Sequence, residues 1–165
     1  MVLLIVEIFR FCILFIILSI SCISDIKTNK IWNSLVIIGW ALACVLSFVS
    51  ALVNKEGVLI GIRNIGLVIG SSVFVLVIGF WFYKYLMFGA GDVKLYSVIA
   101  GFYGIKVSAI VFMMMLCLTG VYGVFKIIKR KKNKSGEMTK IILAPFTLIA
   151  FVVFIQIKST GIIIC

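Results

Sequence analysis

Two carboxylates carry the chemistry that this 165-residue chain could perform: Asp25 and Asp92, its only aspartates. Asp92 lies in "FGAGDVKL", Phe88 to Leu95, within a sequence that is 64% hydrophobic with a mean hydropathy of +1.33. A carboxylate near membrane depth is expensive to maintain and marks a functional site by default. Two carboxyls a few ångströms apart cannot both ionise cheaply, so they share a proton and titrate as a coupled pair. The ionised member then takes a proton from water while the protonated member donates to the carbonyl oxygen of a peptide bond. That scheme needs no metal and no cofactor, and none is expected. The chain has no histidine, which excludes Ser-His-Asp, Cys-His and histidine-ligated metal chemistry within it. Cys12, Cys22, Cys44, Cys117 and Cys165 form no C-x-x-C pair, so neither a disulfide framework nor a zinc site is expected.

Gly89 and Gly91 flank the carboxylate. Lacking side chains, they would let an extended peptide approach the backbone beside Asp92, and glycine permits the φ and ψ needed to break a helix there. Lys94 could reach the interface or tune Asp92. The same residues have plainer uses. Aspartate suits a helix N-cap, Asp25 fits an ordinary polar loop, and small residues are favoured where membrane helices pack.

The elements that must position these groups are membrane spans. A bilayer core requires about 20 apolar residues per helix. The apolar runs predict spans at about Val2–Ile23, Ser34–Val53, Ile62–Tyr83, Val93–Tyr103, Val107–Ile128 and Ile141–Ile157. The fourth is short unless it begins near Leu86, and "GFYGIK" separates it from the fifth. The expected fold is therefore all-α, a polytopic bundle of about six transmembrane helices forming a single domain over residues 1–165. Glu7 and Arg10 in the first run, together with its length, argue against a cleavable signal peptide.

Charge sets the orientation. The net charge is +11, from sixteen Lys and Arg against five Asp and Glu. With the Lys126–Lys140 loop in the cytoplasm, eleven basic residues fall on that side and five on the other, the bias that the positive-inside rule describes. The basic excess is then explained by topology and by anionic lipid headgroups, and nucleic-acid binding is not expected. Both aspartates fall at cytoplasmic helix ends, where they could converge.

"GAGDVK" after a membrane helix resembles the G-x-G-D signature of membrane aspartyl proteases. "SDIKTNKIWNSL" resembles the corresponding loop of the prepilin peptidase family, through Asp25, Lys30, Ile31 and Asn33. Lys30 stands where the family usually has arginine, and Trp32 where it usually has proline. "APFTLIAF", with the only proline, Pro145, resembles a segment of the family's last helix. The resemblance implies an endopeptidase that removes the leader from type IV pilin-like precursors at the cytoplasmic face of the cell membrane. It makes Asp25 and Asp92 the catalytic pair, with Gly89, Gly91, Lys94, Asn33 and Lys30 as supporting residues. Many members also carry a cytoplasmic insertion with paired C-x-x-C motifs and N-methylate the product. This sequence lacks both features, so it resembles the short, peptidase-only forms. A small proton-coupled transporter is the rival reading, because such proteins also use intramembrane carboxylates. It would place them near the midplane in an inverted repeat, and no such repeat is evident.

Overall fold

The computed structural model describes residues 2–28, 31–54, 57–86, 89–133 and 144–159. In hydrocarbon a backbone must satisfy its own N–H and C=O groups, and these apolar runs do so as helices. The helices are α1 (Val2–Thr28), α2 (Asn33–Val53), α3 (Val58–Leu86), α4 (Ala90–Asn133) and α5 (Ala144–Ser159). Four contain segments long and apolar enough to cross a membrane, and α5 adds a shorter apolar helix. The chain is a multi-pass membrane helix bundle.

α4 is two helices in one. Gly104 interrupts it with φ 83° and ψ 173°, a backbone region essentially restricted to glycine. The chain folds back there. The rings of Tyr96 and Phe112 meet edge to face at 5.1 Å, and the Ser108 hydroxyl donates to the Tyr96 carbonyl at 3.1 Å. In an unbroken helix residues 96 and 112 would stand about 24 Å apart. α4 is thus a hairpin of a first arm, residues 90–103, and a second arm, residues 105–133. Counting the arms separately, the described residues form six helical segments, the number expected from the apolar runs.

The first arm is the centre of the bundle. Every residue from 95 to 102 is buried, and α1, α2, α3 and α5 all lie against α4. Leu14 and Leu18 of α1, Val98 and Ile99 of the first arm, Met115 of the second arm, and Phe151 and Phe154 of α5 build the core. Small residues let the backbones close in, as membrane helices prefer. A Cβ on Gly39 would lie 2.8 Å from Val98 Cγ1, and one on Gly101 would lie 2.8 Å from Ser72 Oγ. Leu59, Leu67, Val77 and Val121 are among the large apolar side chains left on the outside, where lipid rather than water is their solvent.

The arm is also short. At 1.5 Å per residue it is about 21 Å long, against a hydrocarbon core of about 30 Å. Its Gly104 end opens on a cavity of about 740 Å³ bordered by Glu7, Arg10, Asn64 and Ser71. Arg10 pairs with Glu7 at 3.1 Å and donates to Ser50 Oγ at 3.0 Å. This recess, which holds polar groups among apolar ones, meets the Gly104 end of the short arm.

Several boundaries differ from the sequence expectation, among them the end of the fifth run, which continues to Asn133 rather than about Ile128. The first span, expected to end near Ile23, runs to Thr28, so Asp25 is helical rather than part of a loop. Lys27 sits in that last turn, where a cation suits the helix C-terminus, and Thr28 Oγ1 bonds the Ser24 carbonyl at 2.8 Å. The third span is longer than the expected Ile62–Tyr83, because Gly57, with φ 91°, allows α3 to start at Val58. In α5, Pro145 falls in the first turn, where its missing N–H costs little.

A buried hydrogen bond joins α5 to the central arm: the Tyr96 and Thr147 hydroxyls are 3.2 Å apart. Tyr96→Phe is expected to lower stability by about 1 kcal/mol, the usual value of one buried hydrogen bond. Equilibrium denaturation in detergent micelles would measure it, and a Tyr96→Phe, Thr147→Val double-mutant cycle would isolate the pair.

Candidate active site

Asp92 is the third residue of α4, not its cap. Gly89 takes the N-cap position. Its carbonyl accepts the Asp92 N–H at 3.0 Å, and its N–H bonds back to the Asp92 carboxyl. The pattern is that of a capping box, with an N3 acid reaching to the N-cap N–H. The cap does not use the whole carboxylate. Asp92 is only 7% exposed, and its Oδ1 is buried without a hydrogen-bond partner. A buried unpaired carboxylate oxygen is costly, and a cap alone gives no reason to bury it.

Asp25 stands in the last turns of α1, half-buried, at the same end of the bundle. It lies near enough to Asp92 for the two carboxyls to interact electrostatically. Ser21, one helical turn before Asp25 and on the same face, is fully buried with its hydroxyl unpartnered. No sequence signal singles out Ser21, since a lone serine in an apolar run reads as a small packing residue.

The glycines serve space rather than torsion. Among the described residues the positive-φ glycines are Gly57 and Gly104, so neither Gly89 nor Gly91 supplies the unusual backbone expected of it. A Cβ on Gly89 would lie 2.8 Å from Asp92 Oδ2, and one on Gly91 would lie 3.0 Å from Ile31 Cδ1. Gly89 therefore leaves room for the carboxylate. Gly91 leaves room for Ile31, from the segment between α1 and α2, to pack against it. Ile31 is itself buried, so the residue leading into α2 is anchored on the helix that carries Asp92.

A second tie crosses the same junction. Lys94 Nζ donates to Asn33 Oδ1 at 2.6 Å, linking the first turns of α4 to the first residue of α2. Lys94 thus acts on Asn33, and no hydrogen bond or ion pair joins it to Asp92 among the described residues. Of the residues singled out in the sequence, Asp92, Gly89, Gly91, Lys94 and Asn33 meet at one junction, and Asp25 approaches it from α1. Lys30 lies outside the described residues, as do residues 134–143 of the basic loop.

Fold and site together define a polytopic membrane protein with an acidic pair at one end of its bundle. The chain matches the model of the Type IV leader peptidase family over residues 12–124, which takes in both aspartates, and it belongs to that family. No curated protein and no solved structure matches the chain significantly.

Proposed function

We propose that the chain is an aspartyl endopeptidase that removes the N-terminal leader from type IV pilin-like precursors, using Asp25 and Asp92 as an acid–base pair. The observation that carries this reading is the buried Asp92 carboxylate, with one oxygen unpartnered, at the end of the bundle where α1 carries Asp25. Membership in a leader peptidase family supports the reaction class.

The chemistry follows from a shared proton. The ionised carboxylate removes a proton from a water molecule, whose oxygen attacks the scissile carbonyl carbon. The protonated carboxyl gives its proton to the carbonyl oxygen. The tetrahedral diol then collapses: the carboxylate that had donated takes a proton from a diol hydroxyl, the C–N bond breaks, and the amine leaves with the proton held by the other carboxyl, which restores the pair. Every proton is accounted for without a metal or cofactor. Carboxylates at helix ends on one side favour this scheme over proton-coupled transport, which requires a path through the bundle.

Orientation follows the distribution of basic residues, which puts the acidic pair at the cytoplasmic face of the cell membrane. The basic loop near Lys126–Lys140 then meets anionic headgroups. The missing paired C-x-x-C motifs support peptidase activity without N-methylation. Methyl transfer from S-adenosylmethionine by the purified chain would contradict that part.

The test is cleavage of a co-expressed pilin-like precursor, scored by the mass shift of the product. Gly89→Ala is expected to lower kcat/KM by roughly 10²-fold, because its Cβ displaces the Asp92 carboxylate, and misplacements of about 1 Å cost that much. The helix itself should persist, since a less favourable N-cap residue costs only about 1 kcal/mol. Unchanged cleavage by this variant would argue against Asp92 acting from its observed position.

A further inference from the structure

The Gly104 end of the central arm, away from the acidic pair, carries the cavity of about 740 Å³. That volume lies within the range of about 300–1,000 Å³ usual for ligand sites. Glu7 and Arg10 of α1 border it together, so its rim holds both signs of charge. Neither group is sealed off: Arg10 is part-exposed and Glu7 exposed. Arg10 gives one guanidinium proton to Glu7 Oε1 and another to Ser50 Oγ. A guanidinium has five, so donors remain for an oxyanion, and its fork matches phosphate. The Glu7 carboxylate likewise keeps lone pairs for a cationic donor.

Below the rim the wall is apolar and bare. Gly66 and Gly70, one turn apart on α3, are exposed, and a Cβ at either would meet nothing within 4 Å. Leu67, Phe74 and Ile105 border the same recess and are exposed as well. From Asn64 to Phe74 the α3 side of the recess is about 15 Å long, at 1.5 Å per residue. The shape is an apolar trough beneath a dipolar rim.

These features select the occupant. An acyl chain alone fills the trough but leaves both charges unmatched. A soluble anion suits Arg10, yet it lies beside the Glu7 carboxylate and leaves the trough empty. A phospholipid whose headgroup carries a phosphate and a primary ammonium satisfies every element. Its phosphate meets Arg10, its ammonium meets Glu7, and an acyl chain lies over Gly66 and Gly70. Phosphatidylglycerol brings the phosphate without a cation. The quaternary ammonium of phosphatidylcholine has no N–H to donate.

We propose that this recess binds a zwitterionic phospholipid with a primary-amine headgroup, of the phosphatidylethanolamine class, in the leaflet away from Asp25 and Asp92. The inference does not depend on the peptidase reading.

The experiment titrates the full chain, purified in detergent, with phosphatidylethanolamine, phosphatidylglycerol and phosphatidylcholine of identical acyl chains. Native mass spectrometry counts the bound lipid. Phosphatidylethanolamine should bind roughly 10-fold tighter than the other two, the usual effect of one hydrogen bond to a charged group. Glu7→Gln should erase that preference. Gly70→Leu, at a position where a Cβ meets nothing, should weaken binding of all three lipids several-fold by occupying the trough. The two variants lie on different helices, and neither removes the tie from Arg10 to Ser50, so a folding defect in one leaves the other decisive. Equal binding of the three lipids by wild type, or a folded variant that binds as wild type does, overturns the site and assigns the recess to bulk lipid. Displacement of phosphatidylethanolamine by free O-phosphoethanolamine at the same concentration would assign it to a soluble zwitterion and overturn the lipid as its ligand.

Discussion

Asp92→Asn is expected to reduce precursor cleavage by about 10³-fold or more, while the protein stays folded and in the membrane. The rate estimate follows from removing an acid–base group that no neighbour replaces. The stability expectation comes from the geometry of the cap. The asparagine carbonyl oxygen can still accept the Gly89 N–H that now bonds the carboxyl, so the start of α4 keeps its tie. The substitution also removes a charge from a position that is only 7% exposed, where one oxygen has no partner. Unfolding of the Asp92→Asn variant should therefore be unchanged or slightly harder, within about 1 kcal/mol, the usual worth of a cap.

The opposite pattern identifies a structural aspartate. Were Asp92 only a helix cap, Asp92→Ala would lower stability by about 1 kcal/mol, and Asp92→Asn would leave cleavage near wild type. Asp25→Asn is the companion measurement. Asp25 is half-buried near a helix C-terminus, where a negative charge is unfavourable, so its removal should not destabilise α1. A comparable loss of cleavage in both single variants, with no further loss in the double variant, is the signature of residues that act as a unit. Strictly additive losses would mean that they do not share one proton.

The acidic residues were legible in the sequence because charge is rare in this chain and each instance stands out. The partition into apolar runs was legible for the same reason, and it located every helical segment. What the sequence could not yield was which face of each helix points inward. In a soluble helix an apolar stripe marks the buried side. Here lipid is as apolar as the core, so Leu14 at the centre and Leu67 on the outside look alike. Ile31 over Gly91 and the Tyr96–Thr147 pair could not be read from periodicity for that reason. The expected end of α1 falls short because Asp25, Lys27 and Thr28 read as loop residues. Polar residues there continue the helix as it emerges from hydrocarbon, since the backbone bonds of the last turn still favour it. The break at "GFYGIK" was visible as a pair of glycines, but only the backbone identifies Gly104 as the hinge and Gly101 as a packing notch against Ser72.

That hinge leads to the second large expected effect. Gly104→Ala should destabilise the protein by about 1–3 kcal/mol, the cost of holding a side-chain-bearing residue in a glycine-only region. Nothing lies within 4 Å of a Cβ built at Gly104, so the loss is torsional and not steric. Gly120→Ala is the control. Its Cβ also meets nothing within 4 Å, and its φ is not positive. There, alanine should be neutral or stabilising by about 0.5–1 kcal/mol. A difference of opposite sign between two glycines with equal free space isolates backbone conformation as the cause. Denaturation in micelles reads both values. The consequence reaches the site because the fold-back at Gly104 sets the second arm against the first, bringing Phe112 to Tyr96 and closing a cavity beside Asp92. Relaxing φ to a helical value would straighten α4 and pull that wall away. Cleavage by Gly104→Ala should therefore fall along with stability, whereas Gly120→Ala should cleave as wild type. Equal stability for the two variants would show that the turn tolerates another conformation, and the hairpin would then need a different source of rigidity.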